Sequence, residues 1–112
     1  MTEAVDHRVL VALSQATGDD PAFLAELIDT YLADAPGLLV AMRDALAARD
    51  AAGLRRAAHT LKSTSAALGA HRLADLCRHL EDAEGPAEAL VTQAEDEYLR
   101  VGVDLQAARP PS

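Results

Sequence analysis

Apolar residues recur along most of this chain at three- and four-residue spacing, the period of helices that each bury one face. The longest series runs through Phe23, Leu24, Leu27, Ile28, Tyr31 and Leu32, then resumes after Pro36-Gly37 with Leu38, Leu39, Met42 and Leu46. Asp20-Pro21 opens it with a capping side chain and a residue suited to the first turn. Because the register survives the proline, we expect one kinked helix over roughly 20–48 rather than two. A shorter helix over about 4–16 precedes it, ending at Thr17-Gly18. Asp50 caps a third, whose inner stripe is Leu54, Ala58, Leu61, Ser65 and Leu68 and which ends at Gly69. A fourth follows almost at once with Leu73, Leu76, Cys77 and Leu80 on one face, ending at Gly85-Pro86. From there a last helix carries Leu90, Ala94, Tyr98, Val101 and Leu105. Links this short make successive helices antiparallel neighbours. The expectation is an all-α fold, an up-and-down antiparallel four-helix bundle with a short extra N-terminal helix, forming a single domain over 1–112 whose tail, 108–112, is frayed.

Composition agrees with helix throughout: half of the 112 residues are apolar and only 3% are aromatic. One cysteine, Cys77, offers no internal disulfide, and its place on an apolar stripe assigns it to the core. Glu3 and Asp6 stand where a secretory signal carries positive charge, and no apolar run is long enough to cross a bilayer. These features predict a cytoplasmic protein. A net charge of −8 argues against nucleic acid and anionic membrane as partners, since both require broad cationic surfaces.

The charge is not evenly spread. Residues 51–74 hold Arg55, Arg56, Lys62 and Arg72 and no acid, and Lys62 is the sole lysine of the chain. On a helical wheel with Leu54 at zero, His59 falls at about 140°, on the outward face. Arg55, Arg56, Lys62 and Ser63 accompany it there, with the small residues Ala52, Ala66 and Ala70. An exposed imidazole among cations and short side chains suits a phosphoryl acceptor. Neighbouring positive charge disfavours the imidazolium, a lysine one turn away can meet a phosphoryl oxygen, and small neighbours leave room for a second protein.

Other chemistries find little support. There is no phosphate-binding Gly-rich loop or kinase-type nucleotide motif, no G-x-S-x-G, and no Glu-x-x-His pair of the di-iron bundles. His71, Asp75 and His79 form an i, i+4, i+8 row that could take an adventitious metal ion, but a row is not a tetrahedral cage, and no metal site is expected.

The stretch AHTLKSTSAALGAHRLADLCRHLE, residues 58–81, resembles the histidine-containing phosphotransfer (HPt) domains of two-component phosphorelays. The family pattern is met by Ala58, His59, Leu61, Lys62, Ser63, Leu68, Gly69, Leu73, Cys77, Leu80 and Glu81, and the likeness extends upstream through Tyr31-Leu32, Pro36, Leu46 and Asp50. The resemblance implies that His59 is phosphorylated on the nitrogen remote from Cβ. It implies that Lys62 stabilises the phosphoryl group, with Arg55 and Ser63 in support and Ala52, Arg56, Ala66 and Ala70 as docking positions. Ser63 replaces the commoner glycine and remains small. Thr60 stands where sensor-kinase dimerisation domains carry an acid after their histidine, so the HPt pattern fits better. The implied partners are response-regulator receiver domains and a hybrid sensor kinase. Phosphoryl arrives from a receiver aspartyl phosphate and leaves to another receiver, with Mg²⁺ on the partner receiver and no cofactor or ATP-dependent kinase activity in this chain, which acts as a monomer. The alternative is a degenerate four-helix bundle that binds receivers or other proteins without phosphotransfer.

Overall fold

The computed structural model describes residues 3–111, so Met1 and Thr2 of the expected domain and Ser112 of its tail lie outside the described residues. Five helices follow one another: α1 (His7–Ala16), α2 (Pro21–Ala47), α3 (Ala51–Ala67), α4 (His71–Glu81) and α5 (Ala87–Ala108), with no strand among the described residues. Helices α2 to α5 form the four-helix bundle, with α3 packed between α2 and α4, and α5 closing the ring against α4 and α2. Helix α1 lies against α2.

The apolar periodicity became the core. Ile28, Met42, Leu61, Leu73, Val91, Val101 and Leu105 are fully buried, and Cys77 is among them. Burial pushes the Cys77 thiol up to about 12. Two polar groups also enter the core, Ser65 and Glu97. Ser65 Oγ lies 2.8 Å from the Tyr31 hydroxyl, a side-chain bond joining α2 to α3. The Glu97 carboxylate meets Arg100 at 3.3 Å and Arg72 at 3.7 Å.

Helix α2 is a single element with Pro36 inside it, as the unbroken register predicted. Proline has no N–H for the carbonyl four residues back, that of Leu32. The Tyr98 hydroxyl of α5 approaches that carbonyl at 3.5 Å. Asp20 and Asp50 cap α2 and α3 through backbone N–H groups of Ala22 and Gly53, at 3.0 and 2.9 Å.

Two boundaries differ from expectation. Helix α1 begins at His7, because Asp6 is its N-cap, accepting from the Arg8 N–H at 3.1 Å. Ala4 and Val5 instead turn back onto α5, where the Asp104 carboxylate accepts both of their N–H groups. Helix α4 stops at Glu81, short of Gly85-Pro86. The left-handed residue that ends it is Ala83 (φ 55°), and the Glu84 N–H reaches back to the His79 carbonyl at 2.8 Å. Past the end of α5, Arg109 donates from Nε and a terminal nitrogen to the two oxygens of Asp29 at 2.7 and 2.8 Å.

Candidate functional site

Helix α3 owes its position to its two ends. Asp50 fixes the first turn, and the last closes in a Schellman motif in which Gly69 (φ 83°) and Ala70 donate to the carbonyls of Ala66 and Ser65 at 3.1 and 2.9 Å. Gly69 is also required by space, since a Cβ there would come within 2.8 Å of the Asp6 carbonyl oxygen. The immediate turn lays α4 antiparallel against α3, so the end of α4 returns beside the middle of α3. Its last residue, Glu81, thereby meets His59 and Lys62, which lie 22 and 19 positions earlier in the chain.

These three side chains form one hydrogen-bonded unit. One oxygen of Glu81 is paired with His59 Nδ1 and the other with Lys62 Nζ. The His59 side chain is 61% exposed, whereas Lys62 and Glu81 are 29% and 21% exposed, so the ring stands outward from a half-buried ion pair. Lys62 first, and His59 after it, hold the Glu81 carboxyl below its usual range. An ionised carboxylate only accepts hydrogen bonds, so Nδ1 is the nitrogen that carries the proton. In the neutral ring this leaves the lone pair on Nε2, which has no hydrogen-bond partner among the described residues.

The sequence placed cations and short side chains around the ring; the charged partner that touches it is a carboxylate. Glu81 was visible in the sequence as a matching position but carried no assigned role. Its signal was available: it lies four residues after Cys77, on the edge of the stripe that α4 packs against its neighbour, facing a helix whose charges are all positive.

The remaining predicted positions divide. Arg55, Arg56, Ser63, Ala52 and Ala66 are exposed on α3. The Ser63 hydroxyl donates to the His59 carbonyl at 3.2 Å, which folds that side chain back onto the helix. Ala70 is corrected: it is fully buried as the N-cap of α4, beyond the end of α3, where the helical wheel no longer applies. Ala70 is not a docking position. The His71, Asp75, His79 row does not converge either, since His71 pairs with Asp6 and His79 with Glu84. Among the described residues no three His, Cys, Asp or Glu side chains are grouped to hold a metal ion. Among them, too, no helix is long and apolar enough to cross a membrane.

A family model described as the Hpt domain matches residues 26–108. Among solved structures, the crystal structure of histidine-containing phosphotransfer protein B (HptB) from Pseudomonas aeruginosa PAO1 is similar at 32% sequence identity and a TM-score of 0.86. The match covers 97% of this chain and 96% of that one. A search of curated protein sequences returns no match.

Proposed function

This chain belongs to the Hpt domain family, its role is histidine phosphotransfer in a phosphorelay, and from that premise we propose that His59 is the residue that carries the phosphoryl group. The observation supporting this is the exposed ring whose Nδ1 is tied to Glu81 while Nε2 faces solvent with no partner among the described residues. In the forward step Nε2 attacks the phosphorus of a receiver's aspartyl phosphate in line. The N–P bond forms, the P–O bond of the acyl phosphate breaks, and the aspartate leaves as a carboxylate. No proton need move from Nε2, because the proton of the neutral ring is on Nδ1. As the ring becomes positive, the Glu81 carboxylate offsets that charge through the same hydrogen bond. The return step to a second receiver is the same reaction reversed.

Lys62 has two roles in this reading. In the resting state it holds Glu81 ionised and in place, and during transfer its ammonium lies one turn from the ring, within reach of a phosphoryl oxygen. Arg55 supplies further positive charge on the same face, and Ser63 leaves the approach open. Mg²⁺ belongs to the partner receiver, and this chain is a carrier without kinase activity of its own. A monomer working in the cytoplasm between a hybrid sensor kinase and receiver domains completes the proposal. A pure binding bundle has no use for a nucleophile oriented in this way.

Incubation with a receiver domain charged by acetyl phosphate tests the assignment. Wild type takes up an acid-labile, base-stable label and His59→Gln takes up none; equal labelling of the two would refute His59. Glu81→Ala slows transfer, and Glu81→Gln recovers part of the rate because its amide oxygen can still accept from Nδ1. A wild-type rate in Glu81→Ala would remove that residue from the mechanism.

A further inference from the structure

The transfer reaction makes no use of the seam between α2 and α5. His59 meets Glu81 on the α3–α4 edge of the bundle, and the ring of helices makes α2–α5 the opposite edge. Three large apolar side chains stand exposed along that seam: Val40 on α2 at 59%, and Leu99 and Val103 on α5 at 67% each. Gly102 lies between the last two, and a Cβ built on it would come no closer than 4.0 Å to its nearest neighbour, Leu32, so a second surface can approach there.

An ion pair closes each end of this strip. At one, Arg43 of α2 donates to Glu95 of α5 at 2.6 Å; at the other, Arg109, just past the end of α5, donates to Asp29 of α2 at 2.7 Å. The signs are crossed. Along α2 the charge is positive at Arg43 and negative at Asp29, whereas along α5 it is negative at Glu95 and positive at Arg109. Arg43 and Asp29 stand two helical turns to either side of Pro36, and Glu95 and Arg109 stand two turns to either side of Gly102. A crossed pattern spaced evenly about one centre is complementary to itself: turned end over end and laid face to face, each guanidinium meets a carboxylate.

We propose that this face pairs two copies of the chain about a two-fold axis that crosses the helices at Pro36 and Gly102. Helix α2 then lies antiparallel on α2 of the second copy, and α5 on α5. Leu99 meets Val103 of the second copy at the apolar centre, while on the rim Arg43 meets its Asp29 and Arg109 its Glu95. A two-fold axis along the helices also matches the four corners, but it sets the exposed Asp44 beside the equally exposed Asp96 of the second copy, and like charges disfavour it. Exposed ion pairs give direction more than strength, and the apolar centre is small. The association is therefore weak, and the monomer of the transfer reaction exchanges with the pair. Both His59 rings stay on the outer edges of the dimer, open to receivers.

The test is sedimentation equilibrium of the full chain, which needs no phosphoryl donor and is read independently of His59. Wild type shows a monomer–dimer equilibrium between about 10 µM and about 1 mM. Leu99→Gln/Val103→Gln raises the dimer Kd at least about tenfold, with the helical melting curve and the rate of labelling by a charged receiver unchanged. Gly102→Cys, near the axis, links to its own copy under mild oxidation, whereas Asp96→Cys, further from the axis than a disulfide reaches, does not; the native Cys77 is buried and does not compete. A wild type that stays monomeric up to about 1 mM, an unchanged Kd in the double variant, or equal linking of the two cysteine variants overturns the pairing and leaves His59 as acceptor. A double variant that self-associates normally but is labelled slowly by the receiver would give the face to the receiver and overturn the pairing equally.

Discussion

The Tyr31–Ser65 bond sets the inner face of α3 against α2, opposite the side that presents His59, and its removal has a calculable asymmetry. Both residues are nearly or fully buried, at 5% and 0% exposure, and their oxygens are 2.8 Å apart. Tyr31→Phe leaves the Ser65 hydroxyl without its partner, but a helical serine can turn to the carbonyl four residues back, here that of Leu61, so the loss is about 1 kcal/mol. Ser65→Ala leaves the Tyr31 phenol with no local carbonyl to replace it and adds a small void. Its loss is therefore about 2–3 kcal/mol. The double variant removes both partners, leaves no orphaned hydroxyl, and loses about 1–2 kcal/mol, giving a coupling of at least about 1 kcal/mol. Urea unfolding followed by helical circular dichroism at constant m-value reads all four corners of the cycle. Losses that add, or a Tyr31→Phe loss larger than that of Ser65→Ala, would refute the reasoning. Phosphotransfer below the melting transition stays at the wild-type rate in all three variants, because neither group borders Nε2.

The acid response of Glu81 has a defined sign. Its carboxyl is held below the ordinary value by Lys62 and then by His59, so the stability it contributes is complete above the ordinary glutamate range, near 4.3, and is lost as pH falls through the lowered value. Glu81→Gln is accordingly less stable than wild type at neutral pH, and the gap in urea midpoint closes as the pH is lowered from about 5; a gap that stays constant or widens would show that the ion pair does not stabilise the fold. The buried Cys77 thiol, raised to about 12, resists alkylation at about pH 8 in the folded protein and reacts fully in urea. Rapid labelling of the native protein would place Cys77 outside the core.

At the ends of α1, α3 and α4, legibility follows which residue takes the left-handed position that closes the helix, whereas the end of α2, closed by Arg49 (φ 57°), was marked instead by Asp50, the cap of α3. At the ends of α1 and α3 that residue is glycine, Gly18 and Gly69, and both ends fell where the sequence placed them. At the end of α4 it is Ala83, an L-residue at φ 55° that no composition rule marks, so the visible Gly85-Pro86 drew the boundary too far along. The same turn explains Ala70. A wheel drawn through α3 puts it outward, but the chain has already reversed at Gly69, and the reversal turns Ala70 into the core. Glu81 belongs to this class as well: His59 and Lys62 were readable because they share one helix and one period, while their partner arrives from the next helix through a turn whose geometry is fixed only when both helices pack. A four-residue error in where α4 ends leaves the apolar stripe of that helix intact. It conceals that its last residue is the carboxylate on which the proton of the acceptor ring depends.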